Sequence, residues 1–302
     1  MEVLHNTLVA TALVSTPLLL AAMGGLINRQ GGIVNIGLEA NMLAGALAAV
    51  LVTWQTGNPF LGVLAAALAG TVIALPFSLV ITRLGANEII AGLGLNVLVA
   101  GLIGYLLPVA LGVYGTFRPA GLQRLPRIDI PFVHDIPWIG PILSGKDPVT
   151  YLAWLLVPLI AAFLYRTTPG LRLRAAGSDL EAARAAGISA HRWRDLSTVL
   201  AGALAGIGGA QLSIGIVGLF GVGMIAGRGF IALAAFYFGA ARPWPTAAAA
   251  LLFGFFDAAQ VRLQGQGIPV QLVQLLPYLV VVVTLTVVAI TRARREGGVA
   301  VA

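Results

Sequence analysis

Leu171-Arg172-Leu173-Arg174-Ala175-Ala176-Gly177-Ser178-Asp179-Leu180-Glu181-Ala182-Ala183-Arg184-Ala185-Ala186-Gly187-Ile188 is the longest strongly charged stretch in an otherwise mostly apolar chain. Ser178 followed three residues later by Glu181 is a capping-box signature, and Gly187 stands where a left-handed residue would end the turn. The pattern predicts one short helix over residues 179–186, too short to be stable alone. Two readings fit: a solvated helix that joins two membrane segments, or a grip for a partner outside the membrane.

The surroundings decide what kind of chain this is. Of 302 residues, 59% are hydrophobic and 10% charged, whereas soluble domains carry about a quarter charged residues. This is a membrane protein, and its hydrophobicity runs through the whole length, so residues 1–302 are expected to form a single integral domain. The net charge of +7 sits as arginines in short connections, which fits retention on the cytoplasmic side and argues against nucleic acid as a partner. The chain contains no cysteine, which excludes disulfides, thiolate chemistry and Cys-ligated metals. His134 and His191 have no companions at ligand spacing, so no metal site is expected. The first six residues lack the positive region of a cleaved signal, and the first apolar run is expected to stay in the mature protein.

In chain order, residues 8–27 read as the first span, with Arg29 at its end. Glycines, an amide and a carboxylate then interrupt the run over residues 31–39 before apolar residues resume at 42–53, the pattern of a discontinuous helix. A turn at 54–59 leads to a third span at 60–82, a polar connection at 83–88 and a fourth at 89–113. Residues 113–147 are Pro-rich and mixed in charge, an external loop with Phe132 and Trp138 as interfacial pieces. The fifth span is placed at 148–165 and the sixth at 196–219, with Gly202 and Gly206 on a small-residue face. A second glycine break at 221–229 precedes a short apolar piece at 230–239, a span to about Val261 and a last one at 270–290. The expected class is all-α: a polytopic membrane protein of about nine segments. With the charged stretch and the Arg-rich tail cytoplasmic, threading back puts Arg83 inside and both the 114–147 loop and the amino terminus outside. Residues 8–113 and 196–290 then form two halves of opposite orientation, each broken by glycines after its first span, an inverted repeat of the kind that places a solute site between halves.

Gly140-Pro141-Ile142-Leu143-Ser144-Gly145-Lys146-Asp147 has the outline of a phosphate loop, but Asp147 occupies the position that needs Ser or Thr, no strand precedes it, and the topology puts it outside. Nucleotide hydrolysis must belong to another chain if ATP is used. Ionisable groups within apolar runs are functional candidates: Glu39, Arg228, Asp257 and Arg262, the last two read as a solvated pair at a helix end. Glu39 and Arg228 are expected to hold the breaks in place, supported by Gly31, Gly32, Gly37, Gly227 and Gly229. Asn35, Asn96 and Gln211 could bond a polar solute or tie helix to helix, with Asn35 and Gln211 the favoured solute contacts and Phe230 a candidate face for a ring. The two breaks are expected to meet near the membrane middle.

Three runs carry a resemblance: Gly31-Gly32-Ile33-Val34-Asn35-Ile36-Gly37-Leu38-Glu39-Ala40-Asn41-Met42-Leu43; Gly170-Leu171-Arg172-Leu173-Arg174-Ala175-Ala176-Gly177 with Ala182-Ala183 and Ala186-Gly187-Ile188; and Gly227-Arg228-Gly229-Phe230-Ile231-Ala232-Leu233-Ala234-Ala235. Together they resemble the permease subunits of ATP-binding-cassette importers for nucleosides and simple sugars, in particular the shorter permease of nucleoside systems that work with a basic-membrane-protein type lipoprotein. The likeness spans roughly residues 20–290. Ribose-type relatives carry Asp-Leu-Ser after the glycines where this chain has Asn35-Ile36-Gly37, and Asn41 replaces a small residue. The resemblance implies a transport subunit with no enzymatic activity and no cofactor of its own, in a bacterial inner membrane with its carboxy terminus cytoplasmic. Residues 167–194 become the coupling region, with Arg174, Ser178, Asp179, Glu181, Ala183 and Gly187 docking onto an ATPase of duplicated cassettes. A second, homologous permease, an external solute-binding lipoprotein and the lipid bilayer complete the implied partners. The solute is expected to be a nucleoside; a ribose-like sugar is the alternative, and a proton-coupled secondary transporter the rival class.

Overall fold

The computed structural model describes residues 2–131, 136, 138, 140–263, 279, 282, 283 and 286. Most of the expected last span at 270–290, the Arg-rich tail and Phe132 lie outside the described residues, as does the Arg262 side chain. Within them the chain is almost wholly helical: α1 (Glu2–Gln30), α2 (Leu38–Thr56), α3 (Pro59–Leu84), α4 (Glu88–Leu111), the two-residue β1 (Thr116–Phe117), α5 (Gly140–Leu143), α6 (Pro148–Arg166), α7 (Thr168–Ser178), α8 (Leu180–Ala185), α9 (Ala190–Ala210) running into a π-helical turn (Gln211–Val217), β2 (Phe220–Gly221), α10 (Arg228–Phe238) and α11 (Pro243–Leu263). Six of these helices are long and apolar enough to cross a membrane, by length and composition, among the described residues.

Helix starts are written locally. Asn58 caps α3 ahead of Pro59; Asn87 Oδ1 accepts from the amides of Ile89 and Ile90 at the start of α4; and Asp147 caps α6 by accepting from the Thr150 amide. Gly57, Gly85 and Gly112 close α2, α3 and α4 in the left-handed region. Pro17, Pro76, Pro108 and Pro158 sit inside helices, as membrane helices tolerate.

The centre of the molecule is α1 and α9. Residues 18–23 of α1 are all buried, and α9 packs against α1, α2 and α3. Gly202 and Gly206 make this packing possible: a Cβ on Gly206 would strike the Ala66 carbonyl oxygen, and one on Gly70 would strike that of Gly202. Without hydrophobic drive between helices in lipid, such backbone proximity supplies the van der Waals contact that holds α3 to α9. By contrast α4 turns much of its surface outward, with Ile90, Val97 and Tyr105 all more than 60% exposed.

The helical breaks differ in detail from the sequence reading. The first is shorter, residues 31–37, because α2 resumes at Leu38 and not near Met42. The second opens earlier, since the π-helix ends at Val217 with Gly218 in the left-handed region, and α10 begins at Arg228. The charged stretch also holds a helix the reading missed. Ser178 is the last residue of α7 and donates its hydroxyl to the Ala175 carbonyl, so it is not the cap. Asp179 is the cap of α8, its Oδ1 accepting from the amides of Glu181 and Ala182. Gly187 does take the left-handed conformation, with φ of 75°.

Candidate functional site

The two breaks meet. Glu39, the second residue of α2, reaches across so that Oε1 accepts from the Gly227 amide at 2.8 Å and Oε2 from the Gly229 amide at 2.7 Å. A carboxylate is thereby seated on the first amides of α10, where unpaired donors and the helix dipole both favour negative charge. The packing is close: a Cβ on Gly229 would lie 2.5 Å from the Glu39 amide nitrogen and 2.7 Å from its Cα. Next to this joint, Arg228 pairs with Asp257 at 2.9 Å and donates to the carbonyls of Met224 and Ile225. Asp257 is therefore paired with Arg228, on the break, and the other half of the pair expected for it, the Arg262 side chain, lies outside the described residues.

The first break is held on its other flank by α4. Val34 donates its amide to Glu88 Oε2 at 2.8 Å. Asn96 bridges the break, its Oδ1 accepting from the Ala40 amide and its amide group donating to the Ile36 carbonyl, each at 3.0 Å. Asn96 thus secures backbone on both sides of the break, a different role from the solute contact considered for it. Glu88 was passed over as part of a polar connection; an acid in the first turn behind the Asn87 cap was the available signal.

Gln211 departs furthest from expectation. It is fully buried and donates to Asp147 Oδ2 at 2.7 Å and to Thr150 Oγ1 at 3.2 Å, which joins the start of the π-helix to the head of α6. This network ends at Thr16 of α1, whose hydroxyl donates to Thr150. Asp147 and Lys146, the end of the failed phosphate loop, are structural here, with Lys146 Nζ donating to the Val9 carbonyl. Burial first, and then the charge of Arg127, pull the Lys146 ammonium below the ordinary lysine range against the opposing charge of Asp147. Phe230 lies on α10 beside the joint and is 41% exposed.

Asn35 is different from all of these. It is wholly buried in the first break, and neither its oxygen nor its nitrogen has a partner among the described residues. Its Oδ1 lies 3.2 Å from where a Cβ on Gly37 would stand. Buried amides are nearly always satisfied, so one left open inside an irregular segment is a place where a polar ligand or water belongs.

The charged stretch reaches this same break from the opposite side. Gly177, near the end of α7, lies so close that its Cβ would meet the Gly32 amide nitrogen at 2.7 Å, while Gly32 itself has φ of 82°. Arg194 donates to the Gly32 carbonyl at 3.0 Å, and Asn28 donates to Ser197 and Thr198 of α9. Trp193, Ala176, Ala183, Ala190, Leu180 and Ile188 form a small apolar cluster that fastens α8 to α7 and α9. Ala183, expected to dock onto an ATPase, is consequently buried and faces inward, while Glu181, Ala182, Arg184 and Ala185 make up the exposed face of α8. Arg174 lies over the Tyr165 ring at 5.0 Å. Arg83 binds Asp195 at 2.8 Å, with Ser78 and Thr82 on the other oxygen, so the connection at Arg83 and the charged stretch share one end of the molecule.

Comparison with known proteins places the chain among transport permeases. The profile of the family described as branched-chain amino acid transport system / permease component matches residues 7–285. The nucleoside ABC transporter permease protein NupC of Lactococcus lactis subsp. cremoris is 33% identical, the match covering 90% of this chain and 88% of that protein. The guanosine ABC transporter permease protein NupQ of Bacillus subtilis is 31% identical, covering 86% and 83%. TsgC13 of Haloferax volcanii, whose name assigns it to a glucose ABC transporter as a permease protein, is 34% identical, covering 84% and 77%. No solved structure matches this chain.

Proposed function

This chain belongs to the branched-chain amino acid transport permease family, and from that premise we propose that it is the membrane-spanning subunit of an ATP-driven importer that takes up nucleosides. The observation that carries the mechanism is the first break: one seven-residue irregular segment, 31–37, is bound by α4 through Glu88 and Asn96 and by α9 through Arg194, touches the charged stretch at Gly177, and leads directly into Glu39 of α2, which is seated on α10. A segment tied to that many elements moves when any of them moves. An ATPase gripping the exposed face of α8 pushes α7 and α9, which are joined to α8 by the alanine cluster, and these bear directly on the break that holds Asn35.

Nucleosides are favoured because two relatives covering most of the chain are named for nucleoside and guanosine transport. A neutral, hydroxyl-rich solute also suits a buried amide and backbone groups with no free countercharge: Glu39 is spent on α10, and Arg228 on Asp257. The sugar reading rests on the relative named for glucose. In this proposal the chain sits in a bacterial inner membrane with the charged stretch and carboxy terminus cytoplasmic. The path is completed by a second permease, the solute is delivered by an external lipoprotein, and the ATPase carries duplicated cassettes. About nine segments and an inverted repeat remain part of the proposal; helix, break, helix recurs in α1–α2 and α9–α10.

Uptake of labelled uridine in cells expressing the whole system, challenged with other nucleosides, ribose or leucine, tests the solute. Nucleosides alone should compete, and competition by ribose alone would transfer the assignment to sugars. Asn35→Ala should lower uptake at least tenfold while the complex still assembles, the loss expected for a buried hydrogen-bonding contact to solute. Unchanged uptake would remove Asn35 from the path.

A further inference from the structure

A cleft with no part in the path proposed above opens where the end of α1, the end of α7 and the corner after α10 converge. It has a volume of about 440 Å³, and its walls include Arg29, Gln30, Arg174, Phe236 and Tyr237. That is within the range of small-molecule sites. None of the nine residues that line it is acidic. Neither arginine is in an ion pair among the described residues, where the salt bridges are those of Arg83 with Asp195 and Arg228 with Asp257. Arg174 is pre-positioned: its guanidinium lies over the Tyr165 ring, and its Nε is buried with no partner. A guanidinium held in this way, with donors unspent, is suited to the forked recognition of a phosphate. The lining also includes an aromatic pair. Phe236 is fully buried and stacks with Tyr237 at 5.0 Å between centroids, and Tyr237 is 39% exposed, so a supported ring presents a face to the cleft. Gln30 is itself anchored, donating to the Ala241 carbonyl at 2.7 Å, which ties the end of α1 to the corner after α10.

We propose that this cleft binds a phosphate ester, its phosphate on Arg29 and Arg174 and its organic part against Tyr237. Gly177 also lines the cleft, so the ligand sits at the contact between the charged stretch and the first break, where its presence stiffens or wedges the joint that transmits the ATPase stroke. That the cleft faces the cytoplasm rests on the transport reading; binding does not. Two sources of the same chemistry are available on that side: a soluble nucleoside monophosphate, which would report the phosphorylated product of imported solute, and the headgroup of an anionic lipid.

The full chain in phosphatidylcholine nanodiscs is titrated with uridine monophosphate by calorimetry, and a parallel series with increasing phosphatidylglycerol is read by native mass spectrometry. Saturable binding of either probe supports the site and names the source. Arg29→Gln with Arg174→Gln should weaken it about tenfold or more, as expected for lost charge-assisted contacts. Arg172→Gln, which removes an equal charge from an exposed position on the same helix, should change it less than about twofold. On the wild-type chain, inorganic phosphate should displace uridine monophosphate, which keeps the test valid if the double variant fails to fold. Binding of neither probe, equal binding of uridine and its monophosphate, or an equal loss in Arg172→Gln would overturn the proposal. None of these outcomes depends on which solute is transported, so the failure of one reading leaves the other standing.

Discussion

Glu39 shows how one side chain can specify a joint between segments far apart in sequence. Its two oxygens accept from amides 188 and 190 residues away, and those amides would otherwise be unsatisfied at the start of α10. Glu39→Gln preserves shape but replaces one acceptor oxygen with an amide NH2 group that faces an N–H donor. The loss of a charge-assisted bond and the new donor-donor clash should cost about 1.5–3 kcal/mol. Thermal unfolding of the purified chain should reveal this as a lowered midpoint, with the order of preference among solutes unchanged. A variant as stable as wild type but altered in solute preference would instead make Glu39 a solute contact. Among the polar residues of the first break, Asn35 remains the one with capacity to spare.

At the level of elements, two glycines in the charged stretch act through different physics. Gly187 has φ of 75° with open space around it, so Gly187→Val incurs the conformational penalty alone, about 1–2 kcal/mol. Gly177 has ordinary room for its backbone angle but none for a Cβ, which would meet the backbone of Gln30, Gly31 and Gly32. Gly177→Ala should therefore drive α7 away from the first break and uncouple ATP hydrolysis from uptake. Gly187→Val should loosen the end of α8, with a smaller loss of coupling. Stimulated ATPase activity measured alongside uptake in proteoliposomes separates the two, and full coupling in Gly177→Ala would show that the stroke does not pass through this contact. Ala183→Trp is not a probe of docking, because it would break the alanine cluster that fastens α8 to its neighbours; Ala182→Trp, on the exposed side, is the better test.

For the whole molecule, the threading predicts one orientation in the membrane. The absence of cysteine makes single-cysteine labelling clean. Glu181→Cys and Arg118→Cys, both at exposed positions, should react with an impermeant maleimide from opposite sides, the first only from the cytoplasm and the second only from outside. Labelling of both from one side would contradict the threading. The β1–β2 pair, with Thr116 opposite Gly221 and Phe117 opposite Phe220, ties the long loop to the second break. A lipoprotein docking on that loop would thus reach the path by a short mechanical route, as the ATPase would from the other end.

Hydropathy and spacing were enough to identify a membrane protein, the long helices of its described residues, both glycine breaks and a charged stretch between them, because each depends on residues adjacent along the chain. Lipid dictates which stretches are apolar, and glycines mark where helices stop. The Ser178 cap was misplaced by one residue because Asp179 is an equally good cap and its carboxylate captures the amides of Glu181 and Ala182. The partners of polar groups were not legible. In a membrane, hydropathy carries no register between helices, since lipid is as apolar as a neighbouring helix. Hence neither the bond of Gln211 to Asp147 nor the hold of Asn96 on backbone at both sides of the first break could be read from the sequence, which left solute contact and helix-to-helix bonding equally open for both. The inward turn of Ala183 likewise came only from the packing of α8 on α7 and α9, because a two-turn helix of small residues has no apolar stripe to say which side is buried.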